Sequence, residues 1–206
     1  MNSSFCYSVL VILFLVSSFE PQPLCGADPT DGFTPVPLTD DNLKLQRPYN
    51  VPLQDRYSYK NGVRTLWVYS NDKPFEPDSP TKPRTEIRIA FEGYAFVPKG
   101  TTGVTIAQIL GAVEGATTLQ LRIYNGDLKY YGSTLVAPNL FDKWFRLNII
   151  HDVNGGKVKV FIDGVEKYVG KDKGKATMYF KCGVYTQDGS SNYMESRWKG
   201  IKLFKK

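Results

Sequence analysis

Residues 179–187 have the sequence Tyr-Phe-Lys-Cys-Gly-Val-Tyr-Thr-Gln, in which two kinds of side chain alternate. One set, typical of a protein core, is Phe180, Cys182, Val184 and Thr186. The other set, mostly polar, is Tyr179, Lys181, Gly183, Tyr185 and Gln187. Because successive side chains of a β-strand point to opposite faces, this alternation predicts a strand with one buried face and one polar face. Gly183 leaves a gap in the polar face, where we expect another molecule to approach the backbone closely.

Three Asn-Gly or Asp-Gly pairs elsewhere in the chain predict β-hairpins. The pairs lie at residues 61–62, 125–126 and 163–164, each between two short runs rich in β-branched and aromatic residues. A two-residue type I′ turn needs positive φ at both positions, which these residue types accept. Further strands are predicted at residues 85–90, 92–97, 104–110, 144–151, 178–187 and 194–204. Many short strands joined by such turns predict an all-β sandwich or jelly roll of two antiparallel sheets.

The beginning of the chain has the pattern of a secretory signal peptide. Val9–Val16 is an almost unbroken apolar run that is too short to span a bilayer, and residues 25–27 match the small-residue pattern of a cleavage site. We therefore predict a signal peptide at residues 1–27 and a single domain at residues 28–206. No later run is long enough to span a membrane. We expect the protein to be secreted to the extracellular space or cell wall, or delivered to the vacuole.

Cysteine content and charge exclude several kinds of site. Cys6 and Cys25 lie in the predicted signal peptide, so the domain has only Cys182 and no intramolecular disulfide. With one cysteine and one histidine in the domain, we expect no metal site and no cofactor. The chain has 26 Lys and Arg residues against 20 Asp and Glu residues, which favours anionic partners. Nucleic acid is not expected, because no basic run is interleaved with aromatic residues. We expect a monomer.

Two more predicted strands carry polar residues that alternation assigns to one face. Along residues 84–89, the side chains of Arg84, Glu86 and Arg88 alternate with those of Thr85, Ile87 and Ile89. Such a row of alternating charges fits either a functional site or a solvated outer face with weak local ion pairs. The sequence leaves both interpretations open. In the strand at residues 104–110, alternation places Ile106, Gln108 and Leu110 on one face. A proline-rich stretch at residues 71–83 predicts a long loop.

These polar strands resemble the motifs of the alginate-lyase family, which is of the polysaccharide lyase family 7 type. The stretches are Arg-Thr-Glu-Ile-Arg at 84–88, Gln-Ile at 108–109 and the nine residues at 179–187, in the family's order and rough spacing. Other stretches resemble its plant branch, the citrate-binding proteins, and lie at residues 28–33, 81–86, 144–148 and 194–200. The resemblance covers essentially the whole predicted domain. It implies a concanavalin-like β-jelly roll in which the three motif strands line one concave groove.

The resemblance also implies roles for individual residues. Lyases of this family cleave acidic polysaccharides by β-elimination, in which an Arg and a Gln neutralise the uronate carboxylate. A His or Tyr then removes the neighbouring proton, and the Tyr protonates the leaving oxygen. Carried over by motif, the catalytic residues are Tyr185 as acid and base, Gln108, and Arg88, with Arg84 as the other candidate for the carboxylate clamp. The implied ligand-binding set is Arg84, Arg88, Gln108, Lys181, Tyr185 and Gln187.

This sequence departs from the family in two places. The family motif Gln-Ile-His is Gln108-Ile109-Leu110 here, so the motif histidine is absent. The single histidine, His151, ends a different strand, and we interpret it as a structural or surface residue. The connection after Ile89 is also shorter than in the plant branch, so one strand or hairpin of the family's usual sheet is expected to be missing here.

Two functions fit these residues. The first is a non-catalytic protein of the secretory pathway that binds anionic carboxylate ligands, either citrate or an acidic glycan. The alternative is an active polyuronate lyase in which Tyr185 serves as both base and acid. A glycosidase or a lectin is disfavoured, because no strand offers a pair of carboxylates and no calcium loop with alternating acids is present.

Overall fold

The computed structural model describes residues 28–39, 43–88, 92–111, 117–174 and 177–205, and these residues form a nearly all-β protein. Fifteen strands and a short 3-10 helix at Leu53–Asp55 make up the regular structure of this part of the chain. None of these residues belongs to a helix that is long and apolar enough to cross a membrane. The predicted signal peptide lies outside the described residues, as does the connection after Ile89 that the sequence predicts to be shortened.

The strands form two sheets in which every pairing is antiparallel. The eight-stranded sheet contains β1 (Thr34–Val36), β3 (Tyr57–Lys60), β4 (Val63–Tyr69), β6 (Glu92–Phe96), β11 (Trp144–Asp152), β12 (Lys157–Ile162), β13 (Val165–Lys171) and β15 (Tyr193–Lys205). The seven-stranded sheet contains β2 (Lys44–Gln46), β5 (Arg84–Arg88), β7 (Val104–Leu110), β8 (Thr117–Tyr124), β9 (Asp127–Tyr130), β10 (Thr134–Ala137) and β14 (Tyr179–Thr186).

The order of strands places the three motif strands side by side. The eight-stranded sheet has the order β13-β12-β11-β6-β15-β4-β3, with β1 added to β15. The seven-stranded sheet has the order β10-β9-β8-β7-β14-β5-β2. Strands β7, β14 and β5 are therefore neighbours although they are far apart along the chain. This adjacency brings the residues of the predicted site together.

The three predicted hairpins are confirmed. The turn residues at 61–62, 125–126 and 163–164 all have positive φ, between 50° and 89°, as a type I′ turn requires. Strand β10 was not predicted. It follows a turn in which Tyr131 has a φ of 51°, and tyrosine is not a residue whose presence signals such a conformation.

The core lies between the two sheets, where aliphatic side chains of both sheets pack together. Burial of Ile87, Cys182 and Val184 is confirmed, since all three are completely enclosed. Burial raises the pKa of the Cys182 thiol well above its usual range. Phe180 is predicted to be buried too, but it is only half-buried, because it borders a cavity of about 530 Å³. Ile89 lies outside the described residues.

Tyr168 of β13 contacts the other sheet at one edge. It is expected to make the stability of the fold decrease at alkaline pH. Its ring stacks on that of Tyr130 in β9, with 4.7 Å between centroids. Burial and the neighbouring Tyr130 raise the pKa of Tyr168 from 10.0 to about 12. A phenol whose pKa is higher in the folded state stabilises the fold while it is protonated, and this contribution is lost between pH 10 and 12.

We expect Tyr168→Phe to lose less stability than the natural protein over that pH interval, because phenylalanine has no proton to release. Chemical denaturation followed by tryptophan fluorescence measures the free energy of unfolding at each pH. Equal alkaline losses in the two proteins would contradict this assignment.

Candidate functional site

The predicted site residues lie on the face of the seven-stranded sheet that is turned away from the core. Lys181 of β14 pairs with Arg88 of β5 on one side and with Gln108 of β7 on the other. Tyr185 pairs with Arg84 in the same way. Directly paired residues of antiparallel strands share a face, so these five positions lie together. We call this surface the cationic face; it is formed by the side chains of Arg84, Gln108, Lys181 and Tyr185, beside the strand position of Arg88.

Ile106 does not share a face with Gln108, contrary to the prediction from alternation. The register of β7 shifts between Thr105 and Ala107, so a β-bulge interrupts the alternation there. Ile106 is completely buried in the core, and Thr105 instead pairs with a residue of the cationic face. Leu110 is half-buried and lies two residues beyond Gln108, at the end of the strand.

Gly183 does not offer the open gap that the sequence suggested. Its φ is 144°, and a Cβ placed on it would lie 2.3 Å from the carbonyl oxygen of Thr85 and 2.8 Å from the Cα of Glu86. The space is therefore filled by the backbone of β5. The glycine allows this close approach between two neighbouring strands, at the point where the pairing of β14 with β7 also shifts register. No ligand can use this space.

Glu86 connects the charged residues of the cationic face, a role that the sequence did not assign to it. Its carboxylate accepts a hydrogen bond from the Gln108 Nε2, and its Oε2 lies 3.5 Å from Arg84 Nη1 and 3.6 Å from Lys181 Nζ. Glu86 is 0% exposed, Lys181 2% and Arg84 5%. The interpretation of the charged row as a solvated outer face is therefore wrong. The signal in the sequence was an acid placed between two bases on one strand face.

The Arg84 guanidinium lies between two aromatic rings. Its Cζ is 3.8 Å from the centroid of the Tyr185 ring and 5.1 Å from that of Phe75, which belongs to the predicted loop at residues 71–83. The Nε–H group of Arg84 is buried and has no hydrogen-bond partner among the described residues. Leaving a buried donor of a charged group unpaired is costly.

The remaining polar groups extend the site along the same face. Lys181 donates to Gln46 of β2 over 2.7 Å, and the half-buried Gln187 donates from Nε2 to the Tyr185 carbonyl over 3.3 Å. Arg122 of β8 pairs with Lys129 of β9 and donates to Gln120 and to the Tyr131 carbonyl. Sequence reasoning missed Arg122 and Lys129, although the alternation of residues 119–124 already indicated a polar face.

No cluster of three or more His, Cys, Asp or Glu side chains suited to a metal ion occurs among the described residues. His151 lies in β11 of the other sheet, where its buried ring is 3.1 Å from Asp172 Oδ2, in agreement with a structural role. It borders the 530 Å³ cavity and is not part of the cationic face. Tyr185 is the titratable side chain that the motif assigns to proton transfer.

Comparison with known proteins identifies the family of this chain. The family model described as alginate lyase matches residues 36–205. A protein of Hevea brasiliensis named citrate-binding protein is 59% identical over 212 residues, which cover 98% of this chain and 89% of the relative.

Solved structures show the same architecture. The alginate lyase AlgAT5 of polysaccharide lyase family 7 has a TM-score of 0.60 and 17% identity, over 80% of this chain and 95% of the lyase. An alginate lyase from Pseudomonas aeruginosa has a TM-score of 0.59 and 16% identity, over 82% of this chain and 100% of the lyase. At these identities the likeness concerns the fold, and it confirms the predicted jelly roll.

Proposed function

Because this chain belongs to the alginate lyase family and is a homologue of a citrate-binding protein, we propose that it binds anionic carboxylate ligands without cleaving them. One observation carries the proposal. The buried cations Arg84 and Lys181 lie within 3.6 Å of the same Glu86 carboxylate, and the Nε–H of Arg84 has no acceptor among the described residues. Such a cluster attracts a further negative charge.

The ligand in this proposal is a small carboxylate such as citrate, or the uronate residues of an acidic glycan. The name of the Hevea relative supports the first, and the names of the lyases that share the fold support the second. The signal peptide predicted at residues 1–27 would direct the protein into the secretory pathway, toward the cell exterior, the cell wall or the vacuole. A monomer is sufficient for binding, because all the proposed contacts come from one chain.

Each residue has a distinct part in the proposed binding. The Arg84 guanidinium supplies a planar fork that matches a carboxylate, and Lys181 adds a point charge at the floor of the site. The hydrogen bond from Gln108 to Glu86 fixes the orientation of the Gln108 amide. Tyr185 holds the Arg84 guanidinium against its ring. Because these groups are held before the ligand arrives, little ordering is needed on binding.

Arg84→Gln tests the site directly. We expect the dissociation constant for citrate or an oligouronate to rise roughly 10- to 150-fold, equivalent to about 1.5–3 kcal/mol for a hydrogen bond to a charged group. Affinity in the natural protein should also fall as salt is added, because the ligand and rim cations such as Lys44 are exposed and screened. Titration calorimetry measures both effects.

Lys167→Gln is the matched control, since Lys167 is an exposed cation on β13 of the other sheet. Its removal changes the net charge by the same amount and should leave affinity nearly unchanged. Equal losses in the two variants, or unaltered affinity in a folded Arg84→Gln protein, would refute the proposed site.

Polyuronate lyase activity is the second candidate function, and the position of Tyr185 is the observation that favours it. A phenol beside the Arg84 guanidinium is placed next to the group that would hold a uronate carboxylate. Elimination produces an unsaturated uronate with a characteristic ultraviolet absorbance, whereas binding does not. Incubation of the natural protein with a panel of polyuronates therefore separates the two functions.

A further inference from the structure

The outer face of the eight-stranded sheet carries a row of aromatic side chains. Tyr69 of β4 pairs with Tyr193 of β15, and their ring centroids are 5.3 Å apart. Phe96 of β6 pairs with Trp144 of β11, with 5.5 Å between their centroids. Tyr94 lies two residues before Phe96 on the same face. We call these five residues the aromatic row.

The row faces solvent and not the core. Ala95 and Val97, the neighbours of Phe96 in sequence, are completely buried, so Phe96 is directed to the opposite side of the sheet. Trp144 is 36% exposed, Tyr193 38% and Tyr94 39%. Large aromatic side chains gathered on one exposed surface are typical of a surface that binds another molecule.

Cations are interleaved with the rings. The Arg197 guanidinium lies 5.0 Å from the centroid of Phe96, and the Lys199 ammonium lies 4.3 Å from that of Trp144. Both residues are on β15, in register with Phe96 and Tyr94 respectively. Glu195 accepts hydrogen bonds from Arg197 and Tyr193, so its charge is compensated within the row. Two further acids near the row are also paired, Glu92 with Lys202 and Asp72 with Arg56. Lys199 has no ion pair among the described residues and keeps its positive charge available.

From this arrangement we propose that the aromatic row is a second binding surface, separate from the cationic face, whose ligand is an acidic polysaccharide chain. Pyranose rings present a flat C–H surface that stacks on aromatic rings, and uronate carboxylates pair with cations between them. A protein partner would favour an apolar centre with a polar rim, whereas rings and cations alternate here.

The dimensions of the row suit an extended chain. Tyr193 and Arg197, which pairs with Phe96, are four residues apart on β15, or about 13 Å at the usual rise of a strand. A few linked sugar residues cover that span. The two ring pairs would therefore contact separate sugar units of one polymer, and short monomeric carboxylates such as citrate would gain nothing from the row.

Trp144→Ala and Lys199→Gln test this surface, with polygalacturonate and polymannuronate as the polymer probes and citrate as the small probe. We expect each variant to bind the polymers at least fivefold more weakly in affinity electrophoresis, and to bind citrate like the natural protein. Trp144→Phe should restore most of the polymer affinity, because it retains a ring. Val165→Ala, an exposed apolar residue of β13, is the control. If Trp144→Ala is not folded by circular dichroism, Tyr94→Ser replaces it.

The outcomes distinguish this surface from the cationic face. Unchanged polymer affinity in both Trp144→Ala and Lys199→Gln would overturn the second surface while leaving the citrate site intact. The second surface is supported if Arg84→Gln loses citrate binding while its polymer affinity still falls when Trp144 is also replaced by alanine. If Trp144→Ala weakens binding of a neutral β-glucan as much as binding of the acidic polymers, and Lys199→Gln has no effect, the proposal of an acidic ligand is overturned. A dimer that dissociates in Trp144→Ala, without any change in polymer binding, would assign the row to a second copy of the chain and overturn the proposal.

Discussion

Replacing Glu86 by alanine is expected to lower the free energy of unfolding by about 3–5 kcal/mol, the usual result of removing one partner from a buried ionic group. The Glu86 carboxylate lies between Arg84 and Lys181, and both of these cations are almost completely buried. Without it, two like charges remain in a region of low dielectric constant and repel each other. The Nε2 group of Gln108 also loses its acceptor. Urea denaturation of the two proteins measures the difference.

Glu166→Ala provides the matched control. Glu166 also forms an ion pair, with Lys159 at 2.8 Å, but both side chains are more than two-fifths exposed. Exposed pairs of this kind contribute about 0–1 kcal/mol, so little stability should be lost. Similar losses in Glu86→Ala and Glu166→Ala would contradict the central role given to Glu86. Glu86→Gln, which keeps the shape and removes the charge, should fall close to Glu86→Ala.

Leu110→His is expected to raise the rate of β-elimination on a polyuronate at least tenfold. General acid–base catalysis typically contributes about 10²–10⁴-fold, so the expected gain is a modest share of that effect. Leu110 stands where the resembling lyases have the histidine of their Gln-Ile-His motif. It is half-buried at the end of β7 and lies two residues beyond Gln108, so a histidine there has room to meet solvent and a ligand. Leucine cannot accept a proton, and we therefore expect the natural protein to be a poor lyase.

The rate is measured as the growth of the ultraviolet absorbance of the unsaturated uronate. Val169→His, on the exposed outer part of β13, adds a histidine far from the cationic face and should produce no gain. A folded Leu110→His protein without any gain, together with a natural protein that already cleaves polyuronates rapidly, would show that the missing histidine does not limit activity. That result would also favour the lyase function over the binding function.

The separation of the two surfaces has a consequence for how such a protein would act. The cationic face lies on the seven-stranded sheet and the aromatic row on the outer face of the eight-stranded sheet, with the core between them. A polymer held on the row would leave the cationic face accessible. The proposed binding of small carboxylates and the proposed binding of polymers are thus compatible in one molecule.

The sequence by itself determined those features that depend on consecutive residues. The turns at 61–62, 125–126 and 163–164 follow from residue types that accept positive φ, and the burial of Ile87, Cys182 and Val184 follows from alternation along single strands. The motif residues on β5, β7 and β14 also identified the family, and the family implied that these strands are neighbours.

Only the tertiary structure decided the features that depend on how distant strands meet. Ile106 is buried at a bulge in the pairing of β7 with β8, and the close approach at Gly183 is made by the backbone of β5. The charges of Arg84, Glu86 and Lys181 became a buried cluster because parts of the chain remote in sequence, including Phe75 and Gln46, lie against them. Alternation along one strand carries no information about which residues of other strands cover it. For the same reason, the aromatic row became visible only when the pairing of β4, β6, β11 and β15 placed its rings side by side.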